Sequence, residues 1–351
     1  MIKKLIQLLS TMLLLTIIIT VAIHVVSPKI KNDVNAEANS ENKNKLKIVT
    51  TIYPVYMIGL NIADQVDSME VTSLIKMNTG CLHDYQLTTK DMKLISTADI
   101  LVINGGGMEA FLSDVKANYP KLKIIDASQG ITMLHSHEEE HNHDTDLGVE
   151  DSDQTEQEKE DHNHGEYNAH VWLDPKLYIQ QIDNVRNGLI DYINHNPEKS
   201  FTDTLESVIN KNAESYIQKV KKLDQRLENA RELVNNSYLG NKKQNEVVIF
   251  HDSFAYLANR MNMKVAFAVD LDADTSLSAG EIAEIIDEVK KDGIKHLFTE
   301  KQFSDSIAKQ IAEETGTKVT IIDSAVTGQG DKNSYLNSME NNLMVIENMN
   351  E

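Results

Sequence analysis

Histidine is the residue type through which this chain could do chemistry. There are 12, and six of them, His135, His137, His141, His143, His162 and His164, fall within 30 positions among carboxylates. Imidazole nitrogens interleaved with Asp and Glu make up a segment suited to capturing divalent transition metals. From Glu138 to Glu166 there are 13 acids and one base, Lys159, so this segment carries −12 of the chain's formal −20. The same composition also suits a plain solvated loop, and the rest of the chain is only mildly acidic.

Other candidate ligands stand alone. His83 lies in Asn78-Thr79-Gly80-Cys81-Leu82-His83-Asp84-Tyr85, and His170 in Asn168-Ala169-His170-Val171-Trp172-Leu173-Asp174-Pro175. His251 and Asp323 each directly follow a short apolar run, Glu246 to Phe250 and Lys318 to Ile322. Isolated residues of this kind more often serve as surface groups or helix caps; what gives them weight together is the company of the His-rich tract.

The elements that must position them alternate. Leu46 to Thr51 is a β-branched run, Ile52 to Val66 has helical spacing, and Met69 to Ile75 returns to strand. A helix at Thr88 to Ala98, a strand at Ile100 to Ile103, a helix at Met108 to Tyr119 and a strand at Leu122 to Asp126 follow. Gly105-Gly106-Gly107 predicts a tight turn, since the G-x-G-x-x-G dinucleotide fingerprint is absent. Lys176 to His195 is helical, and Ser200 to Asn236 is a charged periodic stretch without Pro or Gly, either one long linking helix or two shorter helices in a hairpin. The rhythm resumes with strands at Glu246 to Phe250, Met263 to Val269, Ile294 to Thr299 and Lys318 to Ile322. Helices at Ser253 to Asn262, Ala279 to Asp292, Ser304 to Thr315 and Ser334 to Asn348 separate and close them. Strand-helix alternation predicts an α/β fold with parallel sheets. The expected organisation is a first Rossmann-like lobe over 46–198 carrying the His-rich loop 135–166, a linking helix over 199–240, and a second lobe over 241–351.

In open α/β sheets ligands bind beyond the carboxyl ends of the strands. His83, His170, His251 and Asp323 all occupy loops at such ends, two from each lobe, so a cleft between the lobes would collect them. Three imidazoles and one carboxylate suit four-coordinate Zn²⁺, whereas Mn²⁺ favours more oxygen donors.

On these residues the chain resembles the metal-binding solute receptors of ABC importers, the zinc and manganese cluster, from about Lys45 to the end. The motifs that carry the resemblance are Gly80-Cys81-Leu82-His83-Asp84-Tyr85-Gln86, Ala169-His170-Val171-Trp172-Leu173-Asp174-Pro175, Phe250-His251-Asp252-Ser253-Phe254 with Tyr256, and Ile322-Asp323-Ser324. Leu82 stands where that family commonly has proline. The resemblance implies His83, His170, His251 and Asp323 as metal ligands, Zn²⁺ as cargo with Mn²⁺ as the alternative, and an ABC permease as partner of a monomeric receptor. In manganese-type members a glutamate tends to replace the residue at the His251 position, which favours zinc here. The six tract histidines would bind extra metal weakly.

The N-terminus places Met1-Ile2-Lys3-Lys4 before an apolar run from Leu5 to Val26, an export signal that is either cleaved near Val34-Asn35-Ala36 or kept as an anchor. Residues Asn32 to Lys45 have the composition of a tether. Cys81 is the only cysteine, which leaves no internal disulfide and no N-terminal cysteine for a lipid. An excess of acids, 54 against 34 bases, opposes a nucleic-acid partner. Two other classes compete: a secreted zinc hydrolase, for which Glu300 would be the general base although H-E-x-x-H is absent, and a surface metal buffer or adhesin working through the tract.

Overall fold

The computed structural model describes residues 45–76, 82, 85–136, 166–196, 204–237, 245–269, 277–301 and 306–349. The first series of elements is β1 (Leu46–Thr50), α1 (Tyr53–Ile62), β2 (Met69–Ser73), α2 (Thr89–Ser96), β3 (Ile100–Ile103), α3 (Leu112–Asn118) and β4 (Lys123–Asp126). A 3-10 turn at Val171–Leu173 leads into α4 (Pro175–His195) and α5 (Leu205–Ser237). The second series is β5 (Glu246–Ile249), a 3-10 turn at Asp252–Phe254, α6 (Ala255–Arg260), β6 (Lys264–Ala268), α7 (Ala279–Asp292), β7 (His296–Glu300), α8 (Ser306–Thr315), β8 (Lys318–Ile322) and α9 (Ser334–Glu347).

These elements form two four-stranded sheets of the same order, β2-β1-β3-β4 and β6-β5-β7-β8. The ladders β1 to β3, β3 to β4, β5 to β6, β5 to β7 and β7 to β8 are parallel, as strands joined by helical crossovers must be. β3 is buried at all four residues, which explains its uninterrupted Ile-Leu-Val-Ile sequence. The expected α/β architecture of two lobes is thus the observed one.

Local chemistry sets the helix ends. Thr88 with Asp91 and Ser278 with Glu281 form capping boxes at the starts of α2 and α7. Asp174 caps α4, whose first residue is Pro175. Gly105, Gly106 and Gly107 make the expected turn, all at positive φ, +85°, +68° and +89°, and α3 starts four residues later than the periodicity predicts because a second turn follows, in which Leu112 N donates to Glu109 O at 3.1 Å. A side chain at Gly105 would collide with the Asp126 carboxylate, so the turn requires glycine.

α5 is a single helix of 33 residues, about 50 Å long at 1.5 Å per residue, which settles the choice between one helix and a hairpin. Its buried stripe runs Leu205, Ile209, Ala213, Tyr216, Val220, Leu223, Leu227, Ala230, Val234, at the three- and four-residue spacing of one face. That face packs on α1 and α4 of the first lobe and on α6 and α9 of the second. Beside it Tyr178 stacks on Tyr335 at 3.9 Å and meets the Tyr216 hydroxyl at 3.2 Å. Burial pushes the Tyr178 and Tyr335 phenols well up, so both remain protonated donors, to Pro54 O at 2.8 Å and Trp172 O at 2.7 Å. Arg260 of α6 reaches Asp174 and Asp224, each at 2.7 Å, joining the second lobe to the first and to α5. Among the described residues no helix is long and apolar enough to cross a membrane; the run Leu5 to Val26 lies outside them.

Candidate metal centre

In the second sheet the connections change direction at β5, so the crevice beyond β5 and β7 is its switch point. His251 leaves β5 there and Glu300 ends β7. Ile249 pairs with Phe298, and Phe250 N donates to Phe298 O at 2.8 Å, which brings the two strand ends level. His251 Nδ1 then stands 3.2 Å from Glu300 Oε2. Both residues are buried, 5% and 2% exposed. With Nδ1 turned to the carboxylate, Nε2 lies on the far side of the ring.

His170 reaches the cleft by a longer path, in the segment that returns after β4. The first lobe's own switch-point loop holds it: Asn104, directly after β3, donates its side-chain amide to Ala169 O at 2.9 Å. Glu109 fixes that loop by accepting from Asn104 N at 2.7 Å and Gly105 N at 3.1 Å. Asn168 fixes the ring itself. Its Nδ2 donates to Asp252 O at 2.8 Å, and because a carbonyl only accepts, its Oδ1 must be the atom that faces His170. This oxygen accepts from His170 N at 3.0 Å and lies 2.9 Å from Nδ1. Nδ1 therefore carries the hydrogen and Nε2 the lone pair, the tautomer a metal ligand needs.

The two rings meet edge to face with centroids 5.0 Å apart. An imidazole bound to zinc at ~2.0–2.1 Å has its centroid about 3.2 Å from the metal, so two such rings at a tetrahedral angle have centroids about 5.2 Å apart. The observed pair fits one shared ion.

Cross-lobe hydrogen bonds maintain this approach. The Tyr256 hydroxyl donates to Asn168 O at 2.7 Å and accepts from Leu134 N at 3.1 Å, while Ser136 Oγ donates to Asp252 Oδ2 at 3.2 Å. Trp172, fully buried and edge-on to His170 at 5.2 Å, donates Nε1–H to Ser324 O at 2.8 Å. Asp323 thus sits at the end of β8 beside the residue that Trp172 grips. Its Oδ1 accepts from Ala325 N at 2.9 Å, its Oδ2 accepts from Ser338 Oγ at 3.2 Å, and Lys301 Nζ is 3.6 Å away. That lysine is 65% exposed, a loosely held counter-ion.

The structure therefore brings His170 and His251 together, places Asp323 on the neighbouring strand end, and adds Glu300. His83 and Cys81 lie outside the described residues, as do His137, His141, His143, His162 and His164. His135 is exposed and forms an isolated antiparallel bridge with Tyr167, away from the paired rings in its contacts. Among the described residues no three or more His, Cys, Asp or Glu form a group arranged for a metal. Sequence reasoning did not assign Asn168 or Glu300 to the imidazoles. Glu300 was within reach of the strand-end rule that nominated His251; Asn168 carries no comparable signal, since its partner Asp252 is 84 positions away.

The family model described as zinc-uptake complex component A, periplasmic (ZnuA), matches residues 48–349. The zinc-binding protein AdcA of Streptococcus pyogenes is 30% identical over 312 residues, covering 86% of this chain and 55% of the relative. The chain thus spans about half the length of the curated relatives it matches. The Zn(II)-bound ZnuA-like domain of Streptococcus pneumoniae AdcA superposes with a TM-score of 0.63 at 25% identity, over 86% of this chain and 98% of that domain. A Pseudomonas aeruginosa binding protein, FpvC with Mn²⁺, superposes at 0.65 with 21% identity, over 86% and 97%, a likeness of fold. With a family match running through both sheets, the long helix and both paired histidines, this chain belongs to the family of zinc-uptake complex component A.

Proposed function

We propose that the protein captures a zinc ion outside the cytoplasm and hands it to an ABC permease. His170 and His251 bind through Nε2, and His83 and Asp323 complete four-coordination. The observation that carries this reading is the imidazole pair, 5.0 Å apart and held from two different lobes, each ring with an oxygen partner at Nδ1. Zinc is cargo here, not a catalyst. A hydrolase would need Glu300 as a base beside an open water position, whereas that carboxylate is buried against His251. The imidazole at 251 also supports zinc over manganese, which prefers oxygen donors.

Capture requires neutral imidazoles and an ionised carboxylate, so affinity falls as pH drops through the histidine range. The family description as periplasmic supports an extracytoplasmic location, with the Leu5 to Val26 run as the route of export or attachment. The receptor acts as a monomer, its cleft made from one chain. The tract gathers metal weakly at the rim.

The deciding experiment is zinc and manganese titration of the purified chain by chelator competition, with metal analysis. One tight zinc per chain, outcompeting manganese, is expected, and it persists when residues 137–165 are deleted with the His135–Tyr167 bridge kept. Preferential manganese retention, or loss of tight binding on that deletion, contradicts the reading.

A further inference from the structure

Glu300 is an anomaly for a residue without a role. It is 2% exposed, and among the described residues neither of its side-chain oxygens accepts a hydrogen bond. A carboxylate taken out of water without donors is costly, and such a group in a folded protein calls for a reason. Its ion-pair partner among the described residues is His251, whose Nδ1 stands 3.2 Å from Oε2 in an orientation that falls short of a hydrogen bond, so in the metal-free protein the two groups approach without bonding. Lys301 next to it is directed to Asp323 instead.

We propose that Glu300 is a positioning residue for zinc capture: its carboxylate holds His251 with Nδ1–H inward and Nε2 toward the ion, and takes no place in the coordination shell. This rests on the zinc-capture reading above. Geometry argues for the outer role. An oxygen facing Nδ1 leaves Nε2 as the ring nitrogen that an ion shared with His170 would take. A metal on Nε2 draws electron density from the ring and makes Nδ1–H a stronger donor, so the carboxylate and the ion reinforce each other through the imidazole. His170 has a neutral amide at the same atom, Asn168 Oδ1 at 2.9 Å. The two imidazoles therefore differ as donors, and His251 is the more electron-rich of the pair.

The test compares wild type with Glu300→Gln and Glu300→Asp in the full chain. Three quantities are read: zinc affinity by chelator competition, melting temperature of the metal-free protein, and the visible spectrum of the cobalt(II) form. For Glu300→Gln, zinc affinity is expected to fall roughly 10- to 100-fold, the range for an outer partner of a metal ligand. The metal-free melting temperature should hold or rise, because the buried carboxyl that is replaced accepts no hydrogen bond there, and the cobalt band pattern should keep its ligand count. Glu300→Asp keeps the charge but withdraws it, and should lie between. Affinity within about twofold of wild type, a fall in metal-free stability that accounts for the whole loss, or a cobalt spectrum showing a lost ligand would each overturn the assignment. Weak zinc binding by wild type itself would sink the capture reading and this one with it; tight wild-type binding with an indifferent Glu300→Gln sinks this one alone.

Discussion

The two lobes repeat one strand order yet deliver their histidines to the cleft by unlike means. His251 sits at a strand end of its own sheet, at the switch point, with a carboxylate from the adjacent strand behind it. His170 lies on a returning segment, oriented by an amide whose other hand holds the opposite lobe at Asp252 O. The second lobe's candidate ligand is therefore built in, whereas the first lobe's candidate depends on the lobes being together. A site shared between lobes needs only one such dependent ligand to couple metal binding to their approach.

Removing either imidazole tests this asymmetry most strongly. His170→Ala and His251→Ala should each lose more zinc affinity than the roughly 100-fold that outer partners command, measured by chelator competition. They should differ in the metal-free protein. His251→Ala removes a buried ring and the group nearest the buried Glu300 carboxylate and should cost about 2 kcal/mol in urea unfolding, while His170→Ala leaves only a neutral amide and should cost about 1 kcal/mol. Equal losses would break the comparison.

His296 opens the strand that Glu300 closes, and gives a contrast between a histidine proposed to bind metal and one buried in the sheet. Burial, with repulsion from Lys318 and Lys295, lowers its pKa from 6.5 to about 4. The folded form holds it neutral while the unfolded chain takes up a proton near 6.5. Its contribution is intact above that value and is lost as pH falls toward 4, about 3 kcal/mol in all. Unfolding midpoints at pH 7 and pH 4.5 should show a steeper acid loss in wild type than in His296→Gln, with zinc affinity at pH 7 unchanged in the variant.

Smaller effects belong to the dependent ligand. Asn168→Ala frees the His170 ring to adopt either tautomer and cuts the tie to Asp252, so zinc affinity should fall roughly 10- to 100-fold. Unlike Glu300→Gln, it should also lower metal-free stability, since it removes hydrogen bonds without relieving a charge. Tyr256→Phe is the mildest change. It leaves Leu134 N and Asn168 O without the hydroxyl and should cost about 1 kcal/mol, with faster zinc release in stopped-flow chelation. Unchanged release would show that the hydroxyl serves stability alone.

Much of the frame was legible because it is local. Alternating apolar runs and helical periods gave the α/β class, and Thr88 with Asp91, Ser278 with Glu281 and Asp174 before Pro175 mark helix starts that the structure retains. The stretch free of Pro and Gly became one helix because its apolar face stays in phase from Leu205 to Val234. The start of α3 was misplaced because periodicity does not register that Glu109 turns back to accept from Asn104 N and Gly105 N, which holds Met108 to Phe111 out of the helix. In the site, His170, His251, His83 and Asp323 were all named by the strand-end rule; the structure pairs the first two, His251 directly after β5 and His170 on a segment that returns 44 residues after β4 ends at Asp126.

The sequence by itself determined which residues have metal chemistry, which of them follow strands, and the family to which their motifs point, because each depends on neighbours a few positions away. Only the tertiary structure decided which strand ends adjoin. Strand order follows from non-local pairing, and placing β7 next to β5 sets Glu300, not Asp323, behind His251. It also decided which nitrogen His170 presents, because the amide that fixes the ring is itself fixed by a carbonyl 84 residues along the chain.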